Sequence, residues 1–305
     1  MGPVMNKPLL TIVIANYNYG RFLESAIKSV ISQCDVPVSS SDGKRYLPIK
    51  GVDKCFVELI ICDAASVDNS IEIIRKYEDS LTWWCSEKDG GQSEAFNKGF
   101  RRGVGEWLTW LNADDMYLPG TLSSFAMKAA SNPQAKWITG NMLNFNDVTK
   151  LVTFVTWGPH ICMPFLKRNH AEACPFGPTS FWRRSVYEEL GGIDEKLDYT
   201  MDLEYWARLT MAGILQTRLN HVCWAFREHE EAKSTGKRRT LDMGTVEYEY
   251  WSKKTGHTYK TSFRNPWYWV WLFFRAVDLS LFVRFLKRVE YIGKPVSKFL
   301  SAGHV

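Results

Sequence analysis

Between Leu9 and Pro119 the chain alternates short β-branched runs with amphipathic segments, and no other feature narrows the fold as much. Leu9–Ala15 has the composition of a strand buried on both faces. Phe22–Gln33 follows, with apolar residues at 22, 23, 26, 27, 30 and 31 on one helical face. Val57–Cys62, Leu81–Ser86 and Trp107–Leu111 read as further strands. Helices are predicted between them, one capped by Asp68, Asn69 or Ser70 and running to Tyr77, the other from Ser93 to about Arg102. Strands alternating with helices imply βαβ units, hence an α/β domain on a mainly parallel sheet. Further on, Trp137–Gly140 reads as a strand, and Phe181–Leu190 and Leu203–Met211 as helices. Residues 34–56 carry Pro, Ser, Asp and Gly and are expected to form a surface excursion. Residues 151–180 are expected to loop around a pocket, and 228–262 to hold a mobile loop and a short helix.

The turns that follow these strands carry polar groups: Asn16, Asp63, Asp89 and Asp114. In a parallel sheet such turns share one carboxyl edge, where open α/β folds bind ligands. Asp114-Asp115, straight after Trp107–Leu111, is the most pointed of them. Paired hard oxygens there suit Mg²⁺ or Mn²⁺ carrying a phosphorylated substrate, and a solvated turn is the simpler alternative. Asp202 falls at or just before a helix start, because Leu203, Trp206, Ala207 and Met211 share one face.

Composition excludes several classes. The length suits one large α/β domain with a smaller appendage. A net charge of +5 without a Lys/Arg run or RNA-binding signature argues against nucleic acid. The 7 cysteines show no metal-ligand spacing, so reduced thiols in a cytosolic protein are expected, although Cys34 and Cys55 flank the 34–56 excursion and could meet. Leu9–Ala15 is too short for a signal peptide. The uninterrupted apolar stretch Pro266–Phe274 falls far below the roughly 20 residues a bilayer requires. Its aromatics, followed by Arg275, Arg284, Lys287 and Arg288, suit a helix lying in a membrane interface. Peripheral contact with the inner face of the cell membrane through about 264–290 is therefore expected. The alternative is packing against the α/β domain or, in a homo-oligomer, a second subunit.

Seven segments stand in a telling order: Thr11-Ile-Val-Ile-Ala-Asn-Tyr-Asn18, Glu58-Leu-Ile-Ile-Cys-Asp63 with Ser66-Val-Asp68, Ser86-Glu-Lys-Asp-Gly-Gly-Gln-Ser-Glu-Ala-Phe-Asn-Lys-Gly99, Leu111-Asn-Ala-Asp-Asp115, Gly191-Gly-Ile-Asp194, Met201-Asp-Leu-Glu-Tyr-Trp206 and Arg227-Glu-His229. Over the first 230 residues the chain resembles glycosyltransferase family 2, enzymes of the GT-A type that use nucleotide-sugar donors. The subgroup with Ser-Glu-x-Asp-Gly-Gly-Gln and Asn-Lys-Gly is similar to bacterial enzymes of capsule, O-antigen and exopolysaccharide assembly. The resemblance implies a Rossmann-like GT-A fold over 1–230, with a nucleotide-sugar half to about 118 and an acceptor half over about 119–230. Residues 231–305 then form a C-terminal loop and an amphipathic, aromatic helical region. Two features depart from the family: Asp63-Ala64-Ala65-Ser66 lacks the usual second acid and glycine, and the 34–56 linker is long.

The implied reaction is inverting glycosyl transfer from a nucleotide diphosphate sugar, with UDP favoured, to a saccharide or polyprenyl-linked acceptor. By resemblance, Asp114 ligates Mn²⁺ or Mg²⁺, Asp115 adds a second carboxylate that either ligates the metal or holds the site's shape, and His229 is a third metal-ligand candidate. Asn112 replaces the first acid of many relatives. Asp202 is the implied base, and an N-cap is the plain alternative; the helix dipole keeps an acid there ionised. Donor-binding positions are Ala15, Asn16, Tyr17, Asp63, Asp89, Gln92, Asn97, Lys98, Asn112 and Asp114. Acceptor candidates by position are Glu172, Pro178, Thr179, Trp182 and Arg183. Competing readings are a sugar nucleotidyltransferase, which would want a Gly-rich basic loop where Asn16-Tyr-Asn-Tyr-Gly20 stands, and an inactive carbohydrate- or nucleotide-binding relative.

Overall fold

The computed structural model describes residues 7–41, 43–156, 177–233, 241–255, 286 and 288–301. The first half builds β1 (Leu10–Asn16), α1 (Gly20–Ile31), β2 (Val38–Ser39), β3 (Arg45–Pro48), β4 (Phe56–Asp63), α2 (Ser70–Lys76), β5 (Trp83–Ser86), α3 (Gln92–Arg102) and β6 (Trp107–Asn112). The second half builds β7 (Met116–Tyr117), α4 (Thr121–Ser131), β8 (Trp137–Asn146), β9 (Val152–Val155), β10 (Ser180–Arg183), α5 (Arg184–Leu190), α6 (Met201–Met211), β11 (Gln216–Glu228), α7 (Leu241–Thr255) and α8 (Ser297–Leu300).

One sheet carries all the strands, in the order β2-β3-β4-β1-β6-β10-β8-β11-β7, with β5 added to β4 and β9 to β8. The expected parallel sheet holds in the first half, where β5, β4, β1 and β6 run the same way. The second half is mixed, because β10 inserts antiparallel between β6 and β8. That insertion corrects the helix expected over Phe181–Leu190, whose first residues are strand. The 34–56 segment is also more than a surface excursion. Its β2–β3 hairpin pairs antiparallel with the first half of β4 through Leu47 and Pro48, and β5 pairs with the second half. The two together cover one whole edge of β4, leaving no open row of backbone groups there.

Register fixes the level of the polar ends. Asn16 lies beside Asp63, Asp63 beside Ser86, and Ala15 beside Asn112. Helix α3 backs this edge closely: a side chain at Gly99 would overlap Val13 of β1. Asp68 ties the first two helices, accepting from Gly20 N (2.8 Å) at the start of α1 and Ser70 N (3.0 Å) at the start of α2.

An aromatic core lies beneath the second half. Trp110 and Trp206 stack at 5.6 Å, and Trp182 meets Trp110 edge-on at 5.1 Å and Tyr205 at 5.4 Å. Such pairs each add about 0.5–1.5 kcal/mol beyond the area they bury. Trp182 is fully buried here, so it is corrected from an acceptor candidate to a core residue. Arg183 is corrected as well. It sits beside Trp107 at the start of β6, the end of the sheet opposite Asn112. There it pairs with Glu106, donates to Ala135 O (3.0 Å) and Pro133 O (2.8 Å), and lies over the Trp107 ring.

The C-terminal region is built onto this body. Trp251 of α7 is buried in the same core as Trp206. Val152 N donates to Lys294 O (2.9 Å) and Gly293 N to Val152 O (2.8 Å), and Val296 and Phe299 share a hydrophobic cluster with Leu143 and Phe145 of β8 and Val152 and Val155 of β9. The aromatic run at 265–274 lies outside the described residues. No helix among the described residues is long and apolar enough to cross a membrane. The five described cysteines are free thiols.

Candidate active site

A cavity of about 850 Å³ opens at the carboxyl edge of β1, β4, β5 and β6. The turns after these strands form one wall, through Ala15, Asn16 and Tyr17, then Ala64 and Ala65, then Asp89 to Gln92, then Asn112 and Asp114. Gly177, Pro178, Asp198, Tyr199 and Asp202 form the facing side, with Trp110 among the lining residues. Its volume and mixed lining suit a small polar ligand with an apolar body.

Several wall features come from backbone geometry. Ala65 has φ 56°, so the turn after β4 does need the conformation that glycine serves best. Alanine holds it at a cost of about 1 kcal/mol. Gly91 precedes α3, whose first turn faces the cavity through Gln92. A helix N-terminus there favours an anionic group. Asp89 accepts from Gly91 N (3.0 Å), and burial pushes its carboxyl above the usual range.

Three expected donor contacts turn away from the cavity. Asp63 is buried, and its oxygens accept from Asn16 Nδ2 (2.7 Å), Ser86 Oγ (2.6 Å) and Ser66 N (3.0 Å). It locks the turns after β1, β4 and β5 together and is not among the lining residues. Asn97 is a clamp: its Nδ2 donates to Ile193 O (2.8 Å), and its Oδ1 accepts from Ile193 N (2.9 Å) and Tyr187 Oη (2.8 Å). Lys98 pairs with Glu87 at 3.0 Å and is not among the lining residues. Asn112 stays on the wall, its Oδ1 accepting from Gln92 Nε2 (3.0 Å) and its Nδ2 donating to Asp115 Oδ2 (2.8 Å).

The acid pair divides its work. Asp115 is fully buried, and its Oδ1 accepts from Arg227 N (2.9 Å). Burial and the neighbouring Asp114 charge hold its carboxyl well above the usual range. With one oxygen facing Asn112 and the other Arg227, Asp115 braces the turn and is corrected as a direct metal ligand. Arg227 completes the brace, donating from Nε to Asp114 O (2.8 Å) and from Nη1 to Asp147 Oδ1 (2.7 Å). Asp114 faces the cavity, and its Oδ2 lies 3.0 Å from His229 Nε2. Arg21 Nη2 approaches His229 Nδ1 at 3.4 Å on the far side of the ring. Phe22 packs against the imidazole at 4.6 Å. One carboxylate oxygen and one imidazole nitrogen converge, a set that fits Mn²⁺. Among the described residues no cluster of three or more His, Cys, Asp or Glu suits a metal, so further ligands would come from the substrate or water.

Asp202 lies in the first turn of α6, its Oδ1 accepting from Leu203 N (2.8 Å). Burial raises its carboxyl to about 6, and the Leu203 amide and Lys233 pull the other way. Glu204, two residues on, is turned into the protein and held by Arg208 through two contacts of 2.8 Å. Of the expected acceptor residues, Pro178 lines the cavity, Thr179 is buried, and Glu172 lies outside the described residues. The sequence reading passed over Asp198, Tyr199 and Lys233, which line the same space. Asp198 and Lys233 form an ion pair, and Lys233 lies over the Tyr199 ring at 5.0 Å. Proximity to Met201-Asp-Leu-Glu204 was the available signal for the first two; Lys233 follows His229 by four residues and had none.

Comparison with known proteins places this architecture. Against solved structures, the chain superposes on the Staphylococcus aureus TarS fragment 1–349 in complex with UDP-GlcNAc, with TM-score 0.53 and 14% identity. That match covers 73% of this chain and 60% of the other. A mannosyltransferase from Pyrobaculum calidifontis in complex with GDP-Man and Mn²⁺ gives TM-score 0.50 at 18% identity, covering 75% and 59%. Both neighbours have the GT-A fold, and this chain shares it. An uncharacterized glycosyltransferase of Nostoc sp. is 32% identical over 197 residues, covering 61% of this chain and 54% of that protein. The chain thus spans about half the length of that relative. An uncharacterized glycosyltransferase of Methanocaldococcus jannaschii is 22% identical over 295 residues, covering 92% and 90%. Residues 11–191 match the sequence profile described as Glycosyl transferase family 2. With that match spanning more than half of its length, the chain belongs to glycosyltransferase family 2.

Proposed function

We propose that the protein is an inverting, metal-dependent glycosyltransferase that moves a sugar from a nucleotide diphosphate donor to an acceptor hydroxyl. The observation that carries this reading is one cavity lined by both Asp202 and Asp114, with buried His229 3.0 Å from the Asp114 carboxylate. The nucleotide would lie along Ala15, Asn16 and Tyr17, and the diphosphate between Asp114 and the N-terminus of α3. A divalent cation held by Asp114 and His229 would act as a Lewis acid toward charge gathering on the diphosphate. The acceptor oxygen forms its bond to the anomeric carbon on the face opposite the leaving group. The anomeric carbon–oxygen bond breaks, and its electron pair leaves with the nucleotide diphosphate. Asp202 takes the hydroxyl proton as general base. A carboxyl that titrates near 6 is ionised at neutral pH and still basic enough for that transfer.

UDP is our choice of nucleotide, supported by the TarS neighbour solved with UDP-GlcNAc. The acceptor is read as a saccharide or polyprenyl-linked saccharide of cell-surface polysaccharide assembly. Membrane contact at the cytoplasmic face through about 264–290 belongs to the same reading. A thermal-shift screen of UDP, GDP and dTDP tests the donor half. A nucleotide held at 100 times its Kd adds about 2.7 kcal/mol to the folded state. At least one should raise the melting temperature, and Mn²⁺ should enlarge the shift. No shift with any nucleotide, with or without Mn²⁺, would count against the donor site.

A further inference from the structure

Helix α7 lies beyond the residues that match the family profile, yet it reaches the wall that carries Asp202. We propose that Glu247 on α7 is a positioning residue for sugar transfer, setting the loop that leads into α6 and so aiming Asp202 into the cavity. The inference rests on the reading of Asp202 as the base.

Glu247 is only 7% exposed, and both of its oxygens are used. Oε1 accepts from Asp198 N at 2.8 Å. Oε2 accepts from Tyr199 N and Thr200 N, each at 2.8 Å, and from Thr200 Oγ1 at 3.0 Å. Three successive backbone N–H groups thus converge on one carboxylate, an arrangement that binds anions well. Removing a charge-assisted partner from such a set leaves buried donors unsatisfied.

Helix α6 has no cap of its own. Thr200 occupies the N-cap position, but its hydroxyl points to Glu247 and makes no local capping bond. A local cap would have closed this helix without reference to the rest of the molecule. The remote carboxylate instead couples the start of α6 to α7. Helix α7 is itself pinned, by buried Trp251 and by Lys254, whose Nζ lies 2.6 Å from Asp194 Oδ2. The loop it holds includes Asp198, which pairs with Lys233, and both line the cavity with Asp202. One carboxylate therefore orders the backbone that leads into the base.

The test compares Glu247→Gln, Asp202→Asn and the double variant. Turnover is read as release of nucleotide diphosphate from a panel of UDP-, GDP- and dTDP-sugars with Mn²⁺. Glutamine is not a neutral replacement at this position, because its amide NH₂ would face backbone N–H groups. Glu247→Gln should lower kcat about 10- to 100-fold, as small misplacements of a reacting group do. Donor KM should stay within about twofold, because Asn16, Tyr17 and Asp114 sit on other elements and their binding is unchanged. The double variant should be no slower than Asp202→Asn alone, because Glu247 acts through Asp202, whereas independent structural damage would multiply. If Glu247→Gln fails to fold, Thr200→Val removes one of the four donors and should give the same split of kcat from KM. Near-wild-type kcat in the folded Glu247 variant, with Asp202→Asn inactive, overturns the positioning role alone. Near-wild-type turnover in Asp202→Asn overturns the base assignment and this inference with it.

Discussion

Asp202→Asn should reduce turnover by about 10²–10⁴-fold, the usual worth of a general base, and remove the acid limb of the pH profile. The amide keeps the shape of the carboxylate and can still accept from Leu203 N, so the helix start survives. What it loses is the capacity to take the acceptor proton. In the wild type, the fraction of Asp202 in the basic form falls as the pH drops through about 6. Turnover should therefore decline below that pH and be nearly flat above it until other groups titrate. The variant's residual rate should show no break near 6. Initial rates between pH 5 and 8, at saturating donor, check both parts. A retained break in the variant would assign the limb to another group.

Asp114→Asn should abolish the metal-dependent part of both binding and turnover. His229 Nε2 would then face an amide, and the site would lose its one cavity-facing carboxylate next to an imidazole. Lewis-acid stabilisation of the leaving diphosphate is worth several kcal/mol, so its loss should cost about 100-fold or more in turnover. Nucleotide binding without metal should not weaken, because a negative charge near the diphosphate has been removed. The paired measurement is a nucleotide thermal shift with Mn²⁺ and with chelator. In the wild type the two should differ, and in Asp114→Asn they should coincide. Asp115→Asn serves as the contrast. Its buried carboxyl braces the turn, so its effect should fall on stability more than on the response to metal.

The parallel half of the fold was legible because each strand is an apolar run and each strand end is polar. Register then carried Asn16, Asp63 and Asn112 close to one level without further information. Orientation was not legible. Asp63 and Asp114 are both acids after strands, yet hydrogen bonds from Asn16, Ser66 and Ser86 draw the first inward. Asp115 is drawn in by Arg227, which lies 112 residues further along the chain. Local pattern favoured a helix over 181–190, whereas pairing to β6 and β8 made its first residues, Trp182 and Arg183 among them, strand. Long-range pairing of this kind overrides local preference readily. The loop at 198–200 escaped notice for a similar reason, since its partner Glu247 is 47 to 49 residues away.

The most direct test of metal-dependent transfer is release of nucleotide diphosphate by the wild-type protein from UDP-, GDP- and dTDP-sugars, with Mn²⁺ and with chelator. Release is expected from at least one donor with Mn²⁺, and little or none with chelator. Binding of a nucleotide sugar with no release under either condition would contradict the transferase reading and identify a binding relative without transferase activity.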